Sequence, residues 1–356
     1  MNKKLSSQKS AGVSFALGTF SIAGSPAFAG LVLDGNRVIA VDALRPIARD
    51  AGLVLPVADS TLALLESWGT VLPALQAAAD ALSAGLGKTA CDVAVQAVPM
   101  TSLKVHPPVA ARQIFMCGAN YFKHVVDIIV DMGAGKNPGT EGMNPEQLRS
   151  YAEELMRRRQ REGSPYVFNK PVTTMTGAYD PIMIPSFALE PDWELELAVV
   201  IGAPARHVKR DDASHYIAGY TIANDITNRD WIYARGDMKA LGTDWLNGKS
   251  CPTYLPIGPY IVPATHVGDP MALRIELKLN GETKQDEITS DMIFDIARIV
   301  EYVSGVVQLL PGDVICTGSP AGNGTHYRRF LQPGDVVDAA ITGLGTHRNT
   351  VVSEGN

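Results

Sequence analysis

Trp193-Glu194-Leu195-Glu196-Leu197-Ala198-Val199-Val200-Ile201-Gly202 is the stretch on which the reading of this chain turns. Its β-branched and aliphatic residues predict a strand. Side chains two apart on a strand share a face, so Glu194 and Glu196 point the same way. Two carboxylates on one face of an apolar strand repel each other and are costly to bury unpaired. A bound divalent cation removes both costs, and carboxylate oxygens suit Mg²⁺, Mn²⁺ or Ca²⁺ better than a soft metal. Taken alone, the run has a competing reading: a solvated strand face near a sheet edge.

The rest of the composition narrows the class. A chain of 356 residues exceeds one typical domain, so two are expected. Hydrophobic residues at 46% and charged residues at 19% allow a filled core and exclude a disordered chain. A net charge of -6 speaks against a nucleic-acid binder. The nearest basic cluster, Arg157, Arg158, Arg159 and Arg161, shares a mixed-charge helix with Glu153 and Glu154 and reads as a solvated face. No run approaches the ~18 consecutive apolar residues of a membrane span. Lys3, Lys4 and Ala27-Phe28-Ala29 imitate a secretory leader, but the stretch between them is broken by Gly, Ser and Thr; the expected compartment is the cytoplasm. Cys91, Cys117, Cys251 and Cys316 show no CxxC spacing and are expected as buried free thiols in a reducing compartment.

Along the chain, residues 31–41 hold two strand-like runs around Asp34-Gly35, a hairpin pattern. Helices are expected over 43–51 and 60–84, with Asp59 or Ser60 as a cap for the second. Prolines and His106 within 98–108 read as a linker, so residues 1–105 form a small N-terminal α/β domain and 106–356 a second domain. In that second domain Ile114-Phe115-Met116-Cys117 is a buried strand, followed by a helix carrying His124. Residues 132–163 read as an insertion, Gly-rich and then strongly charged and helical, either a mobile lid or a surface decoration. After Pro165 the chain is mostly strand and turn, with one helix over 290–310 and no βαβ alternation. The expected architecture is α+β with a mixed, β-rich roll or sandwich.

Several motifs then line up in order: Cys117-Gly118-Ala119-Asn120-Tyr121 with His124; Phe168-Asn169-Lys170-Pro171; Asp192-Trp193-Glu194-Leu195-Glu196; Asn224-Asp225-Ile226-Thr227-Asn228-Arg229-Asp230; Lys249; Pro256-Ile257-Gly258-Pro259; and Pro311-Gly312-Asp313 running to Thr317-Gly318-Ser319-Pro320-Ala321-Gly322. In this order and spacing they resemble the fumarylacetoacetate hydrolase family, over about residues 114–352. The resemblance implies a mixed β-sandwich roll, a homodimer, and one Mg²⁺, in some members Mn²⁺ or Ca²⁺, held by Glu194, Glu196 and Asp225. It implies His124 as catalytic base, held by the residue three positions on, which is Asp127 here where shorter relatives carry Glu. It also implies Lys249 and Arg229 beside the reacting carbonyl, and Lys170, Thr317 and Gly318 as substrate contacts. A glutamine that holds the attacked carbonyl oxygen in the family's C–C hydrolases is replaced by Ile232.

The activity implied is metal-dependent hydrolysis of a C–C bond in an acylpyruvate or 1,3-dicarbonyl intermediate of aromatic catabolism, through a metal-bound enolate. The alternative on the same site is a decarboxylase, hydratase or isomerase of a 2-oxo dicarboxylic acid. A metal-binding structural protein without turnover is a third reading. The partner is a small molecule in either enzymatic case.

Overall fold

The computed structural model describes residues 13–233, 236, 240 and 242–355, so Lys3 and Lys4 lie outside the described residues. The expected strand is present as Leu195–Ile201, and all seven of its residues are buried. Burial on both faces explains a run that is continuously apolar except for its acids. Among the described residues it lies inside a twelve-stranded mixed sheet, which removes the edge-strand reading. Ile217–Asn224 flanks it on one side and Val314–Cys316 on the other, both antiparallel. The sheet continues through Leu255–Pro263, Phe15–Ser21, Phe28–Leu33 and Arg37–Ala40 in one direction, and through Ile114–Gly118 and Tyr166–Asn169 in the other.

A second, five-stranded sheet runs Glu282–Ile288, Arg274–Leu279, Val336–Ile341, Thr346–Ser353, Ile182–Ile184. Its inward residues Ile275, Leu277, Leu279, Val337 and Ile341 share one core with Leu195, Leu197 and Val199 of the first sheet and with the helix Ile296–Val306. The chain is therefore an α+β structure with two mixed sheets, as its sequence implied. Glu282–Ile288 has almost no apolar signal, because only Gln285 of its seven residues is buried.

The N-terminal hairpin forms as expected. Phe28–Leu33 pairs with Arg37–Ala40 across the loop 34–36, and Asp34 and Gly35 both take positive φ, 52° and 68°, the sense of a primed turn. The helix expected over 60–84 divides into Thr61–Leu65, capped by the Ser60 hydroxyl, and Trp68–Ala84. These helices cover the outer face of the first sheet, where Leu64, Trp68, Val71 and Leu75 join a core with Leu17, Leu31, Val200 and Ile257. The proline-rich stretch 98–108, read as a linker, is also held in the sheet: Val98–Pro99 pairs with Arg37–Ala40, and Lys104–Val105 with Phe15–Ser21. The four cysteines are free, but only Cys117 and Cys316 are buried; Cys251 is half-buried and Cys91 exposed. No helix among the described residues is long and apolar enough to cross a membrane.

His347 joins the two sheets. Its Nε2 donates to the Gly258 carbonyl at 2.9 Å, and its buried Nδ1 has no partner among the described residues. Burial lowers its pKa from 6.5 to about 4. Between those values the unfolded chain binds a proton that the folded chain does not, so stability is full above pH 6.5 and falls as pH drops towards 4. The loss from this one group is about 3 kcal/mol. Denaturant titrations at pH 7 and pH 4 are expected to show a smaller difference in His347→Gln than in the parent; an unchanged difference refutes the assignment.

Candidate active site

Strand register builds the acidic cluster. Leu195 lies opposite Asn224, so the residues just beyond them, Glu194 and Asp225, meet at the same end of the ladder. The Asp225 N–H donates to the Glu194 carbonyl at 2.8 Å. Glu194, Glu196 and Asp225 are all buried, and each offers a carboxylate oxygen within 4.8 Å of the others. Lys249 Nζ donates to Glu194 Oε2 at 2.6 Å and to Asp225 Oδ2 at 2.5 Å. Arg229 donates to the other Glu194 oxygen and, through Nε, to Asp192 Oδ2 at 2.8 Å. The Gly318 N–H donates to Glu196 Oε2 at 2.6 Å.

The electrostatics sort these acids. Burial alone would raise Glu194, but Arg229 and Lys249 override it and hold that carboxyl well below the usual range. Among the described residues Glu196 has no cationic side chain bonded to it; burial, then the charges of Asp225 and Glu194, push it well above the usual range. Lys249 is penalised by burial, yet Asp225 and Glu194 raise it above its ordinary value. Three converging hard oxygens, one of them short of positive charge, are the donor set a divalent cation of the Mg²⁺ type requires. Glu194, Glu196 and Asp225 would hold it.

His124 sits in the first turn of the helix Phe122–Met132, buried, on the wall of the same cavity. Burial lowers it to about 4, which leaves the imidazole neutral at pH 7. Its helix enters from a tight turn in which Ala119 has φ 52°. Asn120 fixes that turn: its amide donates to the Phe294 and Thr317 carbonyls at 3.0 and 2.8 Å, and its Oδ1 accepts from the Phe294 N–H at 2.9 Å.

Three expectations need correction. Asp127 is not hydrogen-bonded to His124; its Oδ1 accepts from Arg149 of the inserted helix at 2.9 Å. A shorter acid one turn along cannot span back to the imidazole while an arginine lies nearer. Lys170 does not face the cavity; its ammonium lies behind Asp225, donating to Asp225 Oδ1 at 2.5 Å and to the Ile226 and Tyr254 carbonyls at 3.1 and 2.7 Å. All three of its donors are spent there. The Thr317 hydroxyl is likewise spent on the Leu197 carbonyl at 2.8 Å, and Gly318 serves Glu196. The inserted helix, Pro145–Glu162, carries a capping box at Asn144 and Gln147 and buries Leu148, Ala152 and Met156 at four-residue spacing. It packs on the His124 helix, and Arg159 grips the Ala119 carbonyl.

Sequence reasoning gave no role to Asp192, Phe168 or Trp245. Asp192, fully buried, binds Arg229 and the Gly324 and Thr325 N–H groups, so it fixes the cation that fixes Glu194. A third acid beside the Glu194–Glu196 pair, with an arginine just past Asp225, was the available signal. Phe168 and Trp245 form a wall of a cavity of about 150 Å³ that also holds His124, Lys249 and the three acids.

A family model described as the fumarylacetoacetate (FAA) hydrolase C-terminal domain matches residues 113–352. The chain belongs to the fumarylacetoacetate hydrolase family. Among curated relatives, the human mitochondrial oxaloacetate tautomerase FAHD2B is 40% identical over 190 residues, 53% of this chain and 59% of that protein. The chain therefore spans less than two thirds of that relative's length. Among solved structures, the 5-carboxymethyl-2-hydroxymuconate delta-isomerase of Mycobacterium smegmatis is 32% identical over 73% of this chain and 86% of that one, with a TM-score of 0.55. A fumarylacetoacetate hydrolase from Exiguobacterium antarcticum is 26% identical, covers 96% of this chain and 100% of that one, and has a TM-score of 0.68. Family members thus bear hydrolase, isomerase and tautomerase names.

Proposed function

We propose that the chain is a divalent-cation-dependent isomerase or tautomerase of a 2-oxo acid, moving a proton within the substrate without breaking a C–C bond. The observation that carries this reading is the state of His124: buried, neutral and unpaired with Asp127, which Arg149 holds. A hydrolytic base must draw a proton from water and gains from a carboxylate that steadies the resulting imidazolium. A base for a carbon acid also becomes an imidazolium, but it hands that proton straight back to the same substrate and so depends less on a steadying carboxylate. Ile232 on the cavity wall supports the same choice, since it offers no hydrogen bond to an attacked carbonyl. So do the tautomerase and isomerase names of the relatives. Hydrolysis of an acylpyruvate takes second place.

The cation, when bound, supplies a Lewis acid for the 2-oxo carbonyl. His124 takes the proton from the carbon beside that carbonyl and returns it to another atom of the same molecule. Lys249 has three donors, of which two are committed to Glu194 and Asp225; the third is left for the oxygen on which charge develops. The homodimer and the cytoplasmic setting implied by the sequence remain part of this proposal, although the human relative is named as mitochondrial.

The test is product analysis with 2-oxo acids, in Mg²⁺ and in chelator. Activity is expected to vanish with chelator and return with Mg²⁺, and the product to be an isomer of the substrate. Two carbon fragments per turnover would overturn the reading in favour of hydrolysis.

A further inference from the structure

Resting on the enolising reading, we propose that the cavity selects 2-oxo acids whose tail beside the reacting carbons is a flat aryl or conjugated group, and that Phe168 and Trp245 select it. The basis is an acid set and an aromatic stack sharing one cavity. Phe168 and Trp245 stack with centroids 4.3 Å apart and 10° between planes, and Tyr166 leans on Phe168 at 6.5 Å and on Trp245 at 5.9 Å. Lys249 Nζ, bonded to two of the acids, lies 5.6 Å from the Phe168 centroid. The stack therefore begins where the polar end of the site stops. Phe168 and Trp245 are only half-buried, and Tyr166 is 45% exposed. Phe168 and Trp245 line the cavity, and an aromatic wall gains from a flat partner laid against it.

Charge points the same way. The described cations on the cavity wall face acids that already balance them, Arg229 facing Asp192 and Glu194 and Lys249 facing Glu194 and Asp225. A second carboxylate on the tail would lose water against the ring faces. A wider chamber of about 520 Å³ adjoins through His124 and Ile128; there Asp127, Asp131 and Glu190 outnumber Arg328, which disfavours a carboxylate again. An aryl or dienyl tail instead gains stacking and apolar burial.

The test uses the full chain with Mg²⁺. Phenylpyruvate is expected to be tautomerised with a higher kcat/KM than oxaloacetate. Trp245→Leu is expected to lower the phenylpyruvate-to-oxaloacetate ratio about tenfold, through KM, and Trp245→Phe to retain it. A parent that prefers oxaloacetate, or a leucine variant that loses both substrates equally, overturns the proposal. Calorimetry with phenylglyoxylate, which has no enolisable hydrogen, against pyruvate reads the wall without turnover: about tenfold tighter binding of phenylglyoxylate supports it, and equal binding overturns it. Preferential binding with no tautomerisation of either substrate would sink the enolising reading and leave the wall standing.

Discussion

Glu196→Gln is expected to lower turnover at least ~1000-fold while leaving the protein folded, a loss of about 4 kcal/mol of transition-state stabilisation. The expectation follows from the unequal settings of the three acids. Glu194 and Asp225 each have an ammonium or guanidinium partner, whereas among the described residues Glu196 accepts only the Gly318 N–H. Its raised pKa makes it the carboxyl that takes a proton when no cation is bound. Glutamine imitates that neutral state, still accepts from Gly318, and should leave the melting temperature without Mg²⁺ unchanged or higher. What disappears is the stabilisation by Mg²⁺, which for a ligand at a hundred times its Kd is about 2.7 kcal/mol in the parent. A glutamine variant that still melts later with Mg²⁺ would show that the ion, or the site, lies elsewhere.

His124→Asn is expected to reduce kcat by about 10²–10⁴, the range for losing a positioned acid–base group. Here the Mg²⁺-dependent rise in melting temperature should survive, because His124 is not among the three converging acids. The pair of variants separates two roles in one cavity: one loses ion binding and turnover together, the other turnover alone. A kcat within tenfold of the parent would remove His124 from the chemistry. Loss of the Mg²⁺ effect would make it a ligand instead of a proton carrier.

Much of this site was legible in the sequence because its key pattern is short-range. Two-residue spacing on a strand brings Glu194 and Glu196 to one face, and the antiparallel return brings Asp225 to them. The buried strand was legible for the same reason: seven contiguous residues carry the signal. What escaped depended on distant partners. Asp127 lies three residues from His124, and helical spacing allows contact, but Arg149, 22 positions away on another helix, captures it. Lys170 sits in a motif shared with the family, yet a motif does not say which way an ammonium points; the carbonyls of Ile226 and Tyr254 decide that. The polar strand Glu282–Ile288 was invisible because it lies at the edge of its sheet and buries one residue.

The N-terminal strand Phe15–Ser21 sits between Phe28–Leu33 and Leu255–Pro263, with Leu17 paired opposite Ile261. The boundary near residue 105 is thus a punctuation mark in the text but not a seam in the cloth. Cutting there would strip hydrogen-bond partners from the strand around Ile261 and bare the apolar faces of Val200 and Ile257 that the N-terminal helices cover. Such a raw margin invites self-association. The family-matched segment and the strands that precede it are expected to need expressing and engineering together.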